Sequence, residues 1–141
     1  MTVYVDDIRI PARVGGLYGR WSHLIADTQE ELHAFADRLG LRREWFQDPC
    51  VNGKPKAEPG SRAAANWHYD VIDRKRAEAV RLGAVPVPFR ELGTIISARY
   101  EAEQRARSAE EQRREEEQDG DQLEADREAV HLLPNPRSNH R

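Results

Sequence analysis

The stretch "DTQEELHAFADRLG", residues 27–40, constrains this chain more than any other. Thr28 followed by Glu31 has the spacing of a capping box, in which a hydroxyl and a carboxylate satisfy free backbone N–H groups at a helix start. Leu32, Phe35, Ala36 and Leu39 then fall at i, i+3, i+4 and i+7, which makes one apolar stripe. Gly40 supplies the left-handed residue that ends such a helix. The pattern predicts a helix over 28–39 with a single face to bury. Immediately before it, "WSHLIA" (21–26) reads as a strand, with Trp21, His23 and Ile25 on one face and Leu24 and Ala26 on the other. A strand feeding a one-faced helix implies a sheet for that helix to cover.

The rest of the first ninety residues extends the same plan. "TVYV" (2–5) reads as a first strand ending at Asp6 and Asp7. Residues 8–20 carry Pro11, Gly15, Gly16 and Gly19 and read as loop. "REWFQ" (43–47) reads as a third strand, and 48–66, with three prolines and two glycines, as a long flexible loop. A second helix is expected from about Val71 to Leu82, stopped by Gly83. "AVPV" (84–87) then reads as a short strand, which Pro86 places at a sheet edge. "AFADRLGLRREWF" and "AEAVRLGAVPVPF" resemble each other at an offset of 43. A duplication explains this, and so do the shared demands of helix, glycine stop and strand, which is the plainer account. The expected fold is α/β: short strands with two packed helices over 1–90, then a charged helix over 91–118 and a flexible tail over 119–141.

Charge separates these parts. Residues 1–100 hold thirteen acids and fifteen bases, whereas 101–128 hold twelve acids against five bases. A surplus of two cations is too small to argue for nucleic acid from charge alone. Beyond Glu101 alanine is nearly the only apolar residue, so the helix lacks the large a/d stripe of a coiled coil. Its many Glu–Arg pairs at i+3 or i+4 suit a solvated helix. The final "HLLPNPRSNHR" reads as a loose end. A single cysteine, Cys50, excludes an intramolecular disulfide and a multi-cysteine zinc site. No stretch approaches the roughly 20 apolar residues of a membrane span, and no signal-peptide pattern opens the chain, so a cytoplasmic protein without a membrane partner is expected.

"VYVDD", "WSHLIADTQEELHAFADRLGL", "WFQ", "HYDV" and "KRAEAVRLGAV" occur here in order. Together they resemble the family called domain of unknown function 4031, over residues 2–87 apart from the 48–66 loop. The resemblance implies a small cytosolic bacterial or phage protein, and it brings no activity with it.

The residues that can carry chemistry are Asp6, Asp7, His23, Asp27, His68 and Asp70. Asp6 and Asp7 end a strand and Asp27 follows one, and ligands of α/β folds gather at such strand ends. In an extended chain His68 and Asp70 share a side and Tyr69 faces away. Two imidazoles with carboxylates form a plausible ligand set for Zn²⁺ or Mn²⁺, and Mg²⁺ is the third candidate. Asp6, His23 and His68 are the expected metal ligands, and His68, Asp70 and Asp7 the expected catalytic groups. Lys75 and Arg76, with Tyr69 and Trp21, are the expected ligand-binding residues for a phosphate-bearing nucleotide or nucleic acid.

Plain structural readings stand beside these. Asp70 has the position of an N-cap, Asp27 can favour the first helix through its dipole, and His23 in an apolar strand can be a core histidine. His33 is expected to flank the buried stripe. Two functions remain open at this point: a His/Asp pocket, enzymatic or not, and an accessory module that binds a protein partner through its acidic helix.

Overall fold

Gly15 and Gly16 sit at φ +57° and +81°, the left-handed pair that closes a two-residue hairpin. They join β2 (Ile10–Val14) to β3 (Leu17–Ala26) in antiparallel register, Val14 opposite Leu17 and Ile10 opposite Trp21. Residues 8–20 are therefore mostly strand and not loop. Pro11 is tolerated because β2 lies at the edge of the sheet. The computed structural model describes residues 2–131. Within them β1 (Val3–Val5) also pairs antiparallel with β3, Val3 opposite Ala26. β4 (Tyr69–Ile72) pairs antiparallel with β3, and β5 (Val85–Pro86) pairs parallel with β1. The result is a mixed five-stranded sheet with helices, an α/β fold, in which Pro86 stands at the sheet edge as expected.

The helix from Gln29 to Leu39, α1, begins and ends where the sequence requires. The Thr28 hydroxyl accepts the Glu31 N–H at 3.3 Å, and Gly40 closes the helix at φ +80°. Arg43–Trp45 forms a turn of 3-10 helix instead of the expected third strand. Only Gln47 bonds like a strand residue, in an isolated bridge to His68. Asp48 caps a single turn, α2 (Pro49–Asn52), and a 3-10 turn at Ala63–Ala65 returns the chain toward β4. α3 (Asp73–Arg81) starts two residues later than expected. Its N-cap position is Ile72, so Asp70 is a strand residue and not a cap. The first helix exit leads to a 3-10 turn and the second to β5, so the likeness of the two exits ends at the glycine.

Each face of β3 has its own cover. Leu24 and Ala26 point into a core with Val5, Leu32, Phe35, Leu39, Tyr69 and Val71, beneath α1 and α3. Ile25, on the opposite face, packs with Ala65, Leu92 and Ile96. The last two come from α4 (Leu92–His131), whose first turns belong to the domain of residues 1–103. The charged stretch from Gln104 onward is a second unit, with every side chain from 105 to 129 exposed. Helix continues through Asp119 and Gly120 to His131, beyond the point where fraying is expected. Residues 132–141, the rest of the expected tail, lie outside the described residues.

α4 is fixed to the domain by a buried cation. Arg99 is 3% exposed, and its guanidinium donates to the carbonyls of Ala26 at 2.7 and 3.2 Å, Ala65 at 2.7 Å and Trp67 at 2.9 Å. It also lies 3.3 Å from the centre of the Trp67 ring, where the π-face attracts a cation. Burial pushes its pKa down to about 10, so the group remains charged at neutral pH. Three segments distant in sequence meet on this one side chain. Truncating it strands buried carbonyls, each worth about 1–3 kcal/mol when left unsatisfied. Arg99→Ala is therefore expected to lower the unfolding free energy by about 3 kcal/mol. Arg99→Lys should recover only part of that, because an ammonium cannot span the same acceptors. Urea denaturation followed by circular dichroism measures both, and an Arg99→Ala loss within experimental error of zero would refute the role.

Candidate functional site

Between β1 and β2 the ladder is interrupted. Val5 stands opposite Leu24 and Ile10 opposite Trp21, so residues 6–9 face only Ser22 and His23. The two extra residues bulge, and Arg9 takes φ +48° within the bulge. The consequence is local and chemical. His23 still donates its backbone N–H across the gap, but its acceptor is the Asp6 carboxylate, at 2.8 Å. The other oxygen of Asp6 meets His23 Nδ1 at 2.6 Å. Asp6 itself is fully buried, with its N–H on the His23 carbonyl at 3.1 Å and its own carbonyl accepting Arg76 Nε at 2.7 Å. The carboxylate is thus held against the ring by backbone as well as side chain.

His68 comes from the far side of β3. Its backbone exchanges two hydrogen bonds with Gln47, at 2.8 and 3.1 Å, which fixes the strand entry. The ring places Nδ1 3.0 Å from the Asn66 carbonyl and Nε2 3.4 Å from Asp70 Oδ1. Asp70 is directly opposite His23 in the β3–β4 register, and Tyr69 and Val71 alternate to the buried face. The two imidazoles meet edge to face, with centroids 4.9 Å apart. One ligating atom from each of His23, His68 and Asp70 lies within 4.8 Å of the others. All three side chains keep between 17 and 26% of their surface exposed, enough for a small ligand to reach them.

The donor set fits a divalent transition metal. Each imidazole has Nδ1 engaged by an oxygen and Nε2 directed away from it, the arrangement in which an outer partner fixes the tautomer of a metal-binding histidine. Two ligands about 2.1 Å from one ion at tetrahedral angles stand about 3.4 Å apart, and His68 Nε2 and Asp70 Oδ1 already do so. The wider separations, up to 4.8 Å, shorten toward that value when the side chains turn onto an ion. Two imidazoles and one carboxylate leave coordination positions for water or a substrate oxygen.

The remaining expected residues fall elsewhere. Asp7 accepts the Phe89 N–H at 2.8 Å and so holds a ring that stacks beside His23, with centroids 6.1 Å apart. Asp27 accepts the Thr2 N–H and the Tyr4 hydroxyl. Tyr69 turns away and bonds His33 Nδ1 at 2.8 Å inside the core. Lys75 donates to the Leu39 carbonyl at 2.7 Å and to Glu78. Arg76 does reach the site, through the Asp6 carbonyl. Trp21 donates its indole N–H to the Ala12 carbonyl at 3.0 Å and lines a cavity that also contains Asp70. Asn66, Gln47 and Phe89 have supporting roles that no spacing in the sequence announces. They act through backbone groups or across the fold.

These features define a small α/β domain with a partly exposed His₂Asp cluster on the same face of β3 as Ile25. The family model described as protein of unknown function (DUF4031) matches residues 3–99, and the chain belongs to that family. The match continues past β5 through the first turns of α4 and ends at Arg99. Neither the curated proteins nor the solved structures give a match.

The Asp6 contact raises the pKa of His23 above its ordinary value. The hydrogen bond from Asp6 is the main cause, burial opposes it, and the charges of Asp6 and Asp70 add to it. A raised folded-state value means the pair stabilises the fold fully below the unfolded histidine pKa of about 6.5. That contribution fades as pH climbs through the folded value. In chelator, the His23 ring should titrate above about 6.5 by NMR, and Asp6→Asn should bring it down. A wild-type value at or below the ordinary one would contradict the pairing.

Proposed function

We propose that His23, His68 and Asp70 bind one divalent transition metal ion and that the site hydrolyses a phosphoester. The observation that carries this reading is the convergence of one ring nitrogen from each histidine with one carboxylate, while both Nδ1 atoms have oxygen partners. Imidazole with carboxylate suits Zn²⁺ or Mn²⁺ better than Mg²⁺, which prefers oxygen throughout. When bound, such an ion lowers the pKa of a coordinated water and supplies a nucleophile at neutral pH. The chain's own residues supply the rest. Asp6 orients His23 and raises its basicity, Asn66 and Gln47 fix His68, and Phe89 shields one side of the His23 ring. A phosphoryl group is favoured as the centre that water attacks, with an alcohol leaving, because three guanidiniums, Arg9, Arg20 and Arg76, share the single carboxylate of Asp73 and Arg76 also bonds the Asp6 carbonyl.

A second reading uses the same residues without metal. The 2.6 Å contact from Asp6 to His23 is the geometry of a carboxylate that steadies a general base, and His68 stands ready as the partner acid. The exposed acidic stretch 105–129 supports a third, in which the chain docks to a protein partner through that helix.

Thermal melting of the full chain with Zn²⁺, Mn²⁺, Mg²⁺ or excess chelator separates these readings. Zn²⁺ or Mn²⁺ is expected to raise the melting temperature by several degrees, as binding to the folded state requires. His68→Ala and His23→Ala should abolish the rise, and activity on p-nitrophenyl phosphodiesters should fall at least about 100-fold in chelator. An unchanged melting temperature with activity that persists in chelator supports the metal-free dyad and overturns the metal site.

A further inference from the structure

Asp70 belongs to a second feature as well. One oxygen faces His68, and the residue also lines a cavity of about 410 Å³ on the β4 edge of the sheet, within the range of small-molecule sites. The walls are mostly apolar. Trp21 and Ile72 come from paired positions on β3 and β4, Leu17 from the hairpin, and Trp45 from the 3-10 turn that replaces the expected strand. The Trp21 ring is pinned by its bond to Ala12. Leu17 and Trp45 are each 49% exposed, a large amount of apolar surface to leave in water around a cleft. Charge is arranged at the rim. Glu44 is neutralised by Arg42 at 3.1 Å, whereas Arg74 has no ion pair or hydrogen bond among the described residues and is exposed.

We propose that this cavity takes the base of a nucleotide, so placed that its phosphate lies between Arg74 and the His23–His68–Asp70 cluster. The location of the phosphate rests on the metal-site reading above, and the binding of the base does not. A planar ring suits indole walls because every base presents a π-face to stack, independently of its sequence. Asp70 is the shared element, since it lines the cavity and also belongs to the cluster. A free mononucleotide and a nucleotide within a single strand present the same chemistry to the cavity. A neutral apolar ligand would use the walls and leave Arg74 idle.

The test is calorimetric titration of the full chain with adenosine and uridine monophosphates and with a single-stranded oligonucleotide of about six bases. Each is run in chelator and with Mn²⁺. Binding is expected in both conditions and stronger with Mn²⁺. Trp45→Ala should weaken it by about 5- to 150-fold, the effect of losing one stacking partner, and Trp45→Phe should restore most of it. Trp45 is half exposed, and circular dichroism checks that the variant folds. Arg74→Ala should weaken mononucleotides more than the matching nucleosides. A preference for the oligonucleotide identifies a strand as the source, and equal affinity identifies free nucleotide. Mn²⁺ binding without any nucleotide binding overturns this inference and leaves the metal site standing. Nucleotide binding in chelator that depends on Trp45, with no effect of Mn²⁺, sustains the cavity and removes the metal. Binding unchanged in Trp45→Ala overturns the cavity assignment.

Discussion

A guanidinium withdrawn from water has to find acceptors, and Arg99 finds them on the carbonyls of three residues from two distant parts of the chain. Ala26 ends the central strand, Ala65 ends the long excursion between α1 and β4, and Trp67 precedes His68 by one residue. The desolvation cost is offset only because all the contacts form together. A side chain on α4 thus ties the end of β3 to the residues that lead into His68 and β4, beside the β3–β4 ladder itself. Without that clamp the 48–66 segment, with its prolines and glycines, has little apolar surface of its own to anchor it.

The cluster depends on a second constraint, the bulge at residues 6–9. A regular ladder would give His23 a backbone acceptor and leave Asp6 pointing along the strand. The extra residues turn the Asp6 carboxylate onto the His23 N–H and ring together. Burial of that carboxylate is tolerated because backbone and imidazole hydrogen bonds replace its water. Strand irregularities are common next to reactive groups for this reason: they re-aim one side chain without unravelling the sheet.

Much of the frame was legible in the residues. α1 was specified at both ends by Thr28, Glu31 and Gly40, and the edge strand by Pro86. The common face of His68 and Asp70 followed from strand alternation alone. The errors have physical causes. Residues 8–20 looked like loop because Pro11 and three glycines weigh against a strand, yet two of those glycines make the turn that a hairpin needs. "REWFQ" carries strand propensity, but tertiary context leaves it one bridge, at Gln47. Asp70 resembled a cap because it lies three residues before Asp73, and propensity cannot distinguish a cap from a strand residue that precedes a helix. Arg99 was invisible as a core residue, since it stands in a helix whose later turns are charged and exposed.

The sequence by itself determined the local elements: a capped helix, alternating strands, a glycine turn, and an acidic stretch with too little apolar surface to pack. These depend on neighbours within a few residues, where backbone geometry and periodicity act. Tertiary structure alone decided that Asp6 pairs with His23, that the His23 ring meets His68, and that Arg99 joins three segments. Those contacts link residues 17, 45 and 73 positions apart, beyond any local rule, and no spacing in one chain encodes which buried polar groups will satisfy each other.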